Sequence, residues 1–378
     1  MSFYLPFIRL LAVLLSVASG LRAIPASADN GGIIESFVAR ATEGNPRHTE
    51  SDVLVRRDGS LLVAWSDFYA GSRDDAPARI SAAVSADGGR TWGPRSTLQE
   101  NIGGANVMSV SFLRSRTGDV LFFFLQKNSL TDLKAYVRRS TDDARTWGTP
   151  TLVTADPGYH VMNNARVIQL RSGRLLAPVA SSKQVWTKND DFRTSVYLSD
   201  DDGRTWRRSR TLLSAPKRGA MEPGLVELKD GRVMQIIRTQ TGFIWRSFSS
   251  DGGETWTDAA PWDVESPESP ATLAVTPGGD WLLVWNPKVV WSNPEKTVLG
   301  ANHGGARTPL ATMMSADEGR TWSPSRNLEG NPDSTFAYTS VTFHEGRALL
   351  TYYDFPKGGK LLSLKFKSVP LAWFRAAP

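Results

Sequence analysis

The pattern Ser-x-Asp-x-Gly-x-Thr-Trp is written five times along this chain, once with a substitution. The copies span Ser85–Trp92, Ser140–Trp147, Ser199–Trp206, Ser249–Trp256 and Ser315–Trp322, and only the second departs, with Ala144 in the glycine position. Their start-to-start spacings are 55, 59, 50 and 66 residues. Recurrence of so specific a pattern means that one supersecondary unit is repeated around the molecule, which constrains the fold before any propensity is weighed.

Chemically the motif is a closed turn between two strands. The Asp carboxylate and the Ser and Thr hydroxyls bond nearby backbone groups. Gly supplies a backbone conformation that side chains resist, and the Trp offers a large ring for burial between neighbouring units. Five equivalent copies cannot share one active site, so these aspartates read as structural.

Before each box lie two apolar or alternating runs of strand length. Leu61–Trp65 and Ile80–Val84 precede the first, Val120–Leu125 and Ala135–Arg138 the second, Leu175–Val179 and Ser195–Leu198 the third. Val233–Ile237 and Phe243–Trp245 precede the fourth, and Trp281–Trp285 and Leu310–Met314 the fifth. Turns such as Asp58-Gly59, Ser172-Gly173 and Asp230-Gly231 introduce most of the first members. No long stretch beyond the N-terminus has helical periodicity. Four-stranded antiparallel units in radial array make an all-β propeller. Three further strand-like runs, Ala337–Phe343, Ala348–Tyr353 and Lys360–Phe366, follow the last box. The orphan run Ile33–Val38 is expected to pair with them and close a sixth blade, giving a six-bladed β-propeller over residues 29–378.

The first residues carry Arg9, an apolar core from Leu10 to Val17, and the small-x-small sequence Ala26-Ser27-Ala28. This reads as a signal peptide over residues 1–28, predicting a secreted or periplasmic protein. Its removal takes Arg9 and Arg22, lowering the net charge from +6 to about +4. That mild basicity weakly favours acidic ligands, and without a Lys/Arg cluster interleaved with aromatics it is no nucleic-acid signature. No later segment is long and apolar enough to span a membrane as a helix. The chain has no cysteine, so its stability rests on its core, and its four histidines lack metal-ligand spacing. Neither a metal nor an organic cofactor is implied.

Outside the boxes, several charged residues stand beside strands. Arg47 opens the first blade, and Asp74 and Asp75 lie in the Gly71–Pro77 loop. Glu222 lies in Met221-Glu222-Pro223-Gly224, Arg238 closes the Gln235–Thr239 run, Arg307 precedes the fifth box, and Tyr338 follows it.

In this order and spacing the mature chain resembles the sialidase (neuraminidase) superfamily of six-bladed Asp-box (BNR-repeat) propellers. Sialidases present an early Arg, an Asp in a first-blade loop, a Glu with an Arg a short distance on, an Arg before a late box, and a Tyr after it. Arg47, Asp74, Glu222, Arg238, Arg307 and Tyr338 match that series. The most specific matches are Glu222 with Arg238 ahead of the Ser249 box, and Arg307 eight residues before the Ser315 box.

The resemblance implies exo-α-sialidase-like hydrolysis of terminal sialic acids with retention. Arg47, Arg238 and Arg307 would bind the substrate carboxylate, for which guanidinium forks are suited. Tyr338 would be the nucleophile, Glu222 its general base, and Asp74 the acid/base for the leaving group and then water. A phenol avoids the repulsion that a carboxylate nucleophile would meet from an anionic sugar. The expected partner is a sialylated or other acidic glycoconjugate, taken by a monomer.

Two departures keep other readings open. The Arg-Ile-Pro opening of sialidases is replaced by Arg47-His48-Thr49-Glu50, and the second Arg that follows it has only Arg73 as a substitute. Asp75 and Asp67 compete with Asp74 for the acid position. The Gly-rich segments Glu100–Met108 and Asn163–Val167 are placed to line the funnel and fit a different sugar. The alternatives are therefore a related propeller glycosidase acting on another acidic or neutral glycan, or a non-catalytic glycan-binding propeller.

Overall fold

The computed structural model describes residues 1, 32–187, 191–287 and 307–376. Beyond Met1, the expected signal peptide over residues 1–28 lies outside these, as do His303 and most of the segment leading into Arg307.

The chain forms an all-β ring of six blades. The first blade pairs Arg47–Val55, Leu61–Phe68, Ala78–Ser85 and Ser96–Gln99 in that order. The second follows with Asn106–Arg114, Val120–Lys127, Leu133–Ser140 and Thr151–Leu152, and the third with Ile168–Gln169, Leu175–Ser182, Arg193–Ser199 and Arg207–Arg208. A short strand, Tyr159–Val161, joins these two blades into one continuous sheet by pairing with Ala180–Ser182 on one side and Leu133 on the other. Blade four is Met221–Glu227, Val233–Arg238, Phe243–Ser249 and Ala260–Glu265, and blade five is Thr272–Val275, Trp281–Trp285, Leu310–Ser315 and Arg326–Glu329. The sixth combines Ser334–His344, Arg347–Pro356 and Ser363–Pro370 with the N-terminal strand Ile34–Ala39, which pairs antiparallel from Ile34↔Ser368 onward. Ring closure by the orphan N-terminal run is thus the arrangement found. Glu35 fastens it, its carboxylate meeting Lys365 at 2.7 Å and Lys367 at 3.2 Å.

Each box closes the same way. In the first, Ser85 Oγ donates to Asp87 Oδ1 at 2.8 Å, and the Gly89 and Thr91 amides donate to Ser85 Oγ and Asp87 Oδ1 at 2.8 and 2.9 Å. The glycine position takes φ of +90, +85, +94 and +78° in the four regular boxes, and Ala144 adopts +64° in the variant. Three of the box tryptophans reach the neighbouring blade. Trp92 packs edge-on against Phe366 and its Nε1 donates to Ser36 Oγ, Trp206 meets Phe123, and Trp322 meets Trp262. Apolar burial between blades supplies the core, with Trp65, Phe122, Phe124, Trp281 and Phe366 all essentially inaccessible.

Register separates the boxes from the other end of each blade. Ser85 pairs with Leu61, whereas Arg47 pairs with Phe68 and Phe68 with Ala78. An eight-residue strand at about 3.3 Å per residue separates the two ends by roughly 25 Å. The first-blade box and Asp74 therefore lie at opposite ends of their blade, and the same register places Glu222 and Arg238 far from the Ser249 box.

Candidate active site

The ends of the innermost strands share a backbone device. Arg47–Val55 bulges between Thr49 and Asp52, Asn106–Arg114 between Met108 and Ser111, Met221–Glu227 between Met221 and Gly224, and Ser334–His344 between Ala337 and Ser340. In each bulge one residue with a side chain turns left-handed: Glu50 (φ +54°), Ser109 (+55°), Glu222 (+37°) and Tyr338 (+59°). Ala165 (+55°) stands in the corresponding place in blade three, its amide bonded to the Val110 carbonyl. A left-handed residue costs roughly 1–2 kcal/mol without glycine, and a bulge re-aims its side chain. Four of these five left-handed residues, all but Ala165, line one central pocket.

The hub beneath the pocket is sealed by polar side chains. Asn164 Nδ2 donates to the carbonyls of Ser51 at 2.7 Å and Tyr338 at 3.0 Å, and Arg166 Nη2 donates to the Ala271 carbonyl at 2.9 Å. Of the Asn163–Val167 segment, only Asn163 faces the pocket.

The pocket encloses about 700 Å³ of space between atoms, its open mouth included. Asp74, Glu222, Arg238 and Tyr338 line it, together with Glu50, Lys127, Arg218 and an apolar wall that includes Tyr159, Trp186 and Phe192. Tyr338 Oη donates to Glu222 Oε1 at 3.3 Å, and Arg238 Nη1 donates to Glu222 Oε2 at 2.7 Å. The Arg307 guanidinium lies 5.6 Å from the Tyr338 ring centre and donates to Tyr353 Oη at 2.8 Å. Arg47 stands behind the wall, bonded to the Asp74 carboxylate and 3.6 Å from Glu50 Oε1. All six residues singled out in the sequence therefore meet around one hollow, four on its surface and two in contact with that surface.

The competing acids lie elsewhere. Asp75 is exposed and paired to Arg73 at 3.0 Å, and the Arg73 side chain points to solvent at 85% exposure, so neither faces the pocket. Asp67 is buried against His48, Arg79 and Arg95; burial works to raise its carboxyl, but His48, the Ser81 hydroxyl and Arg95 hold it down at about 2.

Burial pushes the Tyr338 phenol well above its usual range and Glu222 adds to this, while Arg238 and Arg307 pull the other way. The phenol is therefore protonated at neutral pH and needs an acceptor to react. Burial also raises Glu50, whose Oε2 accepts Ser109 Oγ at 3.1 Å. For Arg238, burial alone would favour proton loss, but Glu222, Tyr338 and Glu268 hold the charge on. Its Nε has no hydrogen-bond partner among the described residues, and its Nη2 meets the Glu268 carboxylate at 3.4 Å as an ion pair without hydrogen-bond geometry. Among the described residues no group of three or more His, Asp or Glu side chains is placed to hold a metal ion.

Several residues at the site carry no motif. Glu268 is 1% exposed, meets Arg218 at 2.7 Å and Arg238 at 3.4 Å, and accepts Gln240 Nε2 at 2.8 Å. Its only trace is an acid bracketed by two Ser-Pro pairs in Ser266-Pro267-Glu268-Ser269-Pro270. Lys127 and Arg218 read as ordinary charges at strand and loop ends.

The model of the BNR repeat-like domain family matches residues 43–350. The chain belongs to this family, within the sialidase superfamily. A sialidase of Micromonospora viridifaciens is 27% identical over an alignment covering 96% of this chain and 59% of the relative. Among solved structures, the Hadza microbial sialidase Hz136 superposes with a TM-score of 0.69 at 20% identity, covering 90% of this chain and 69% of its own. A protein of unknown function from Dyadobacter fermentans matches equally well, with a TM-score of 0.69 at 18% identity over 89% and 99% of the two chains. The chain spans 59% of the length of the curated sialidases it matches.

Proposed function

We propose that this BNR-repeat propeller is an exported, monomeric exo-α-sialidase-like glycoside hydrolase that removes terminal sialic acids with retention. The observation that carries the reading is the Tyr338–Glu222 contact at 3.3 Å, with Arg238 on the far oxygen of the same carboxylate and Arg307 over the phenol ring. A phenol–carboxylate couple flanked by cations suits attack on an anomeric carbon that bears a carboxylate, where the usual pair of catalytic carboxylates would be repelled.

In this reading the substrate carboxylate binds among Arg47, Arg238 and Arg307. Arg47 already holds the Asp74 carboxylate, so the incoming carboxylate takes over part of that pairing. Released from Arg47, the Asp74 carboxyl takes up a proton from solvent; Tyr338 Oη then passes its own proton to Glu222 as it bonds the anomeric carbon, and the departing glycosidic oxygen takes the proton from Asp74. The Asp74 carboxylate then deprotonates water, which attacks the same carbon. Tyr338 leaves and recovers its proton from Glu222. Two displacements at one carbon give net retention.

The test is release of sialic acid from a fluorogenic α-sialoside by the purified protein, with the first-formed anomer read by NMR. The α-anomer is expected. Release of the β-anomer, or turnover only of sugars without a carboxylate, overturns the mechanism.

A further inference from the structure

The loop that carries Asp74 joins the strands Leu61–Phe68 and Ala78–Ser85, and it is held from outside its own blade. Lys127 Nζ donates to the Asp74 main-chain carbonyl at 2.6 Å. Asn106 Nδ2 donates to the same carbonyl at 2.9 Å and to that of Ala76 at 2.9 Å. Both side chains come from the second blade, where Asn106 and Lys127 are direct register partners. Lys127 is 1% exposed and Asn106 fully buried.

A buried ammonium is unfavourable unless paired. Burial pulls the Lys127 pKa down, and the Asp74 and Glu50 carboxylates hold its proton on. The Gly-rich turn ahead of Asn106 closes over the same strand end. The Ala105 amide donates to the Lys127 carbonyl at 2.9 Å, and Gln126 Nε2 donates to the Ile102 carbonyl at 3.0 Å. A Cβ on Gly104 would stand 2.8 Å from the Asn128 carbonyl oxygen, so the turn fits only without a side chain there. The segment Glu100–Met108 thus serves to fix Lys127 and Asn106 as well as to reach the pocket.

We infer that Lys127 and Asn106 are positioning residues, clamping the main chain of Asp74 so that its carboxyl is presented at a fixed place in the pocket. The inference rests on Asp74 as the acid/base. A general acid acts within roughly 2.6–3.2 Å of the oxygen it protonates. Misplacement by about 1 Å costs on the order of 10²-fold. The cost falls on leaving groups that need the proton, and little on an aryl oxygen that departs as a stable anion.

The experiment compares Lys127→Met, Asn106→Ser and Asp74→Asn in the full chain. Each is assayed for kcat/KM, which reports the bond-breaking half-reaction, on sialyllactose and on methylumbelliferyl α-sialoside. Amide hydrogen exchange is followed across residues 69–77. Lys127→Met is expected to lose about 10²-fold on sialyllactose and less than about 5-fold on the aryl sialoside, reproducing the split of Asp74→Asn, with faster exchange in the loop. An equal loss on both substrates, or no loss, overturns the inference. If Asp74→Asn shows no split, or the unmodified protein turns over neither substrate, the assignment of Asp74 has failed. Exchange then decides the clamp by itself: faster exchange in Lys127→Met and Asn106→Ser upholds it, and unchanged protection in both overturns it.

Discussion

Two features repeat around this ring, and they repeat differently. The boxes recur in sequence and in backbone, with Ser, Asp and Thr making the same bonds each time. The left-handed residues at the inner strand ends recur in backbone alone, presenting Glu50, Ser109, Glu222 and Tyr338 from bulges and Ala165 from the corresponding place in blade three. Where side chain and backbone repeat together, each copy does the same structural work. Where only the backbone repeats, each copy is free to carry a different group to the centre. Chemistry belongs to the second kind of repeat.

The comparison breaks first at Tyr338. Tyr338→Phe is expected to lower kcat on an aryl sialoside by at least about 10³-fold, the scale of removing a nucleophile. Its melting temperature should stay near that of the unmodified protein, because the hydroxyl gives up one long hydrogen bond, to Glu222 at 3.3 Å, while the ring keeps its place. An active Tyr338→Phe would remove the bulge positions from the chemistry. Arg238→Ala comes next. Truncating one partner of a buried charge pair costs roughly 2–5 kcal/mol, so KM for sialosides should rise by about 10²-fold. Indifference of KM would exclude a carboxylate clamp and favour a neutral glycan.

The box side of the comparison is tested by stability. Asp87→Ala removes the acceptor for Ser85 Oγ, the Thr91 amide and Thr91 Oγ1, and should cost about 1–3 kcal/mol in thermal or denaturant unfolding while leaving KM unchanged. The boxes also give a pH signature. Hydrogen bonds from the Thr321 main chain and hydroxyl and from Ser315 hold Asp317 at about 2. Burial works against Asp201, yet Thr205 and Ser199 hold it at about 2 as well. Both lie below the ordinary value of about 3.9, so the unfolded chain binds these protons first. Their contribution is complete above about pH 4 and is lost as pH falls through about 2. Melting temperature should fall steeply across that window, and more shallowly when box aspartates are replaced by Asn.

This contrast also explains what was legible in the chain itself. The five boxes announced the ring, and the orphan run at Ile33–Val38 announced its closure. Glu222, Arg238, Arg307 and Tyr338 stood out because their order relative to the boxes is visible without coordinates. The bulges were not, since Glu50, Ser109 and Ala165 adopt positive φ without the glycine that would betray it. Nor was the burial of Glu268, Lys127 and Asn106, which is decided by segments far off in sequence. Lys127 stands two residues beyond the apolar run Val120–Leu125 and looks like any strand-terminal charge.

The smallest effect concerns Ala144, the one place where the box repeat relaxes its residue but keeps its backbone. Its φ of +64° costs about 1–2 kcal/mol for a residue with a Cβ. Its methyl is 3% exposed and sits in the cluster with Leu54, Leu62, Phe122 and Trp147, where burying one carbon is worth about 0.8 kcal/mol. Glycine also costs more entropy to order, by roughly 0.5–1 kcal/mol. These terms nearly cancel, so Ala144→Gly should shift stability by less than about 1 kcal/mol in either direction. A gain would mean that backbone strain outweighs packing and that the second box is an imperfect copy. A loss well beyond that size would place the methyl among the contacts joining the first two blades, and make the second box a repeat that has begun to diverge in side chain, as the inner bulges have.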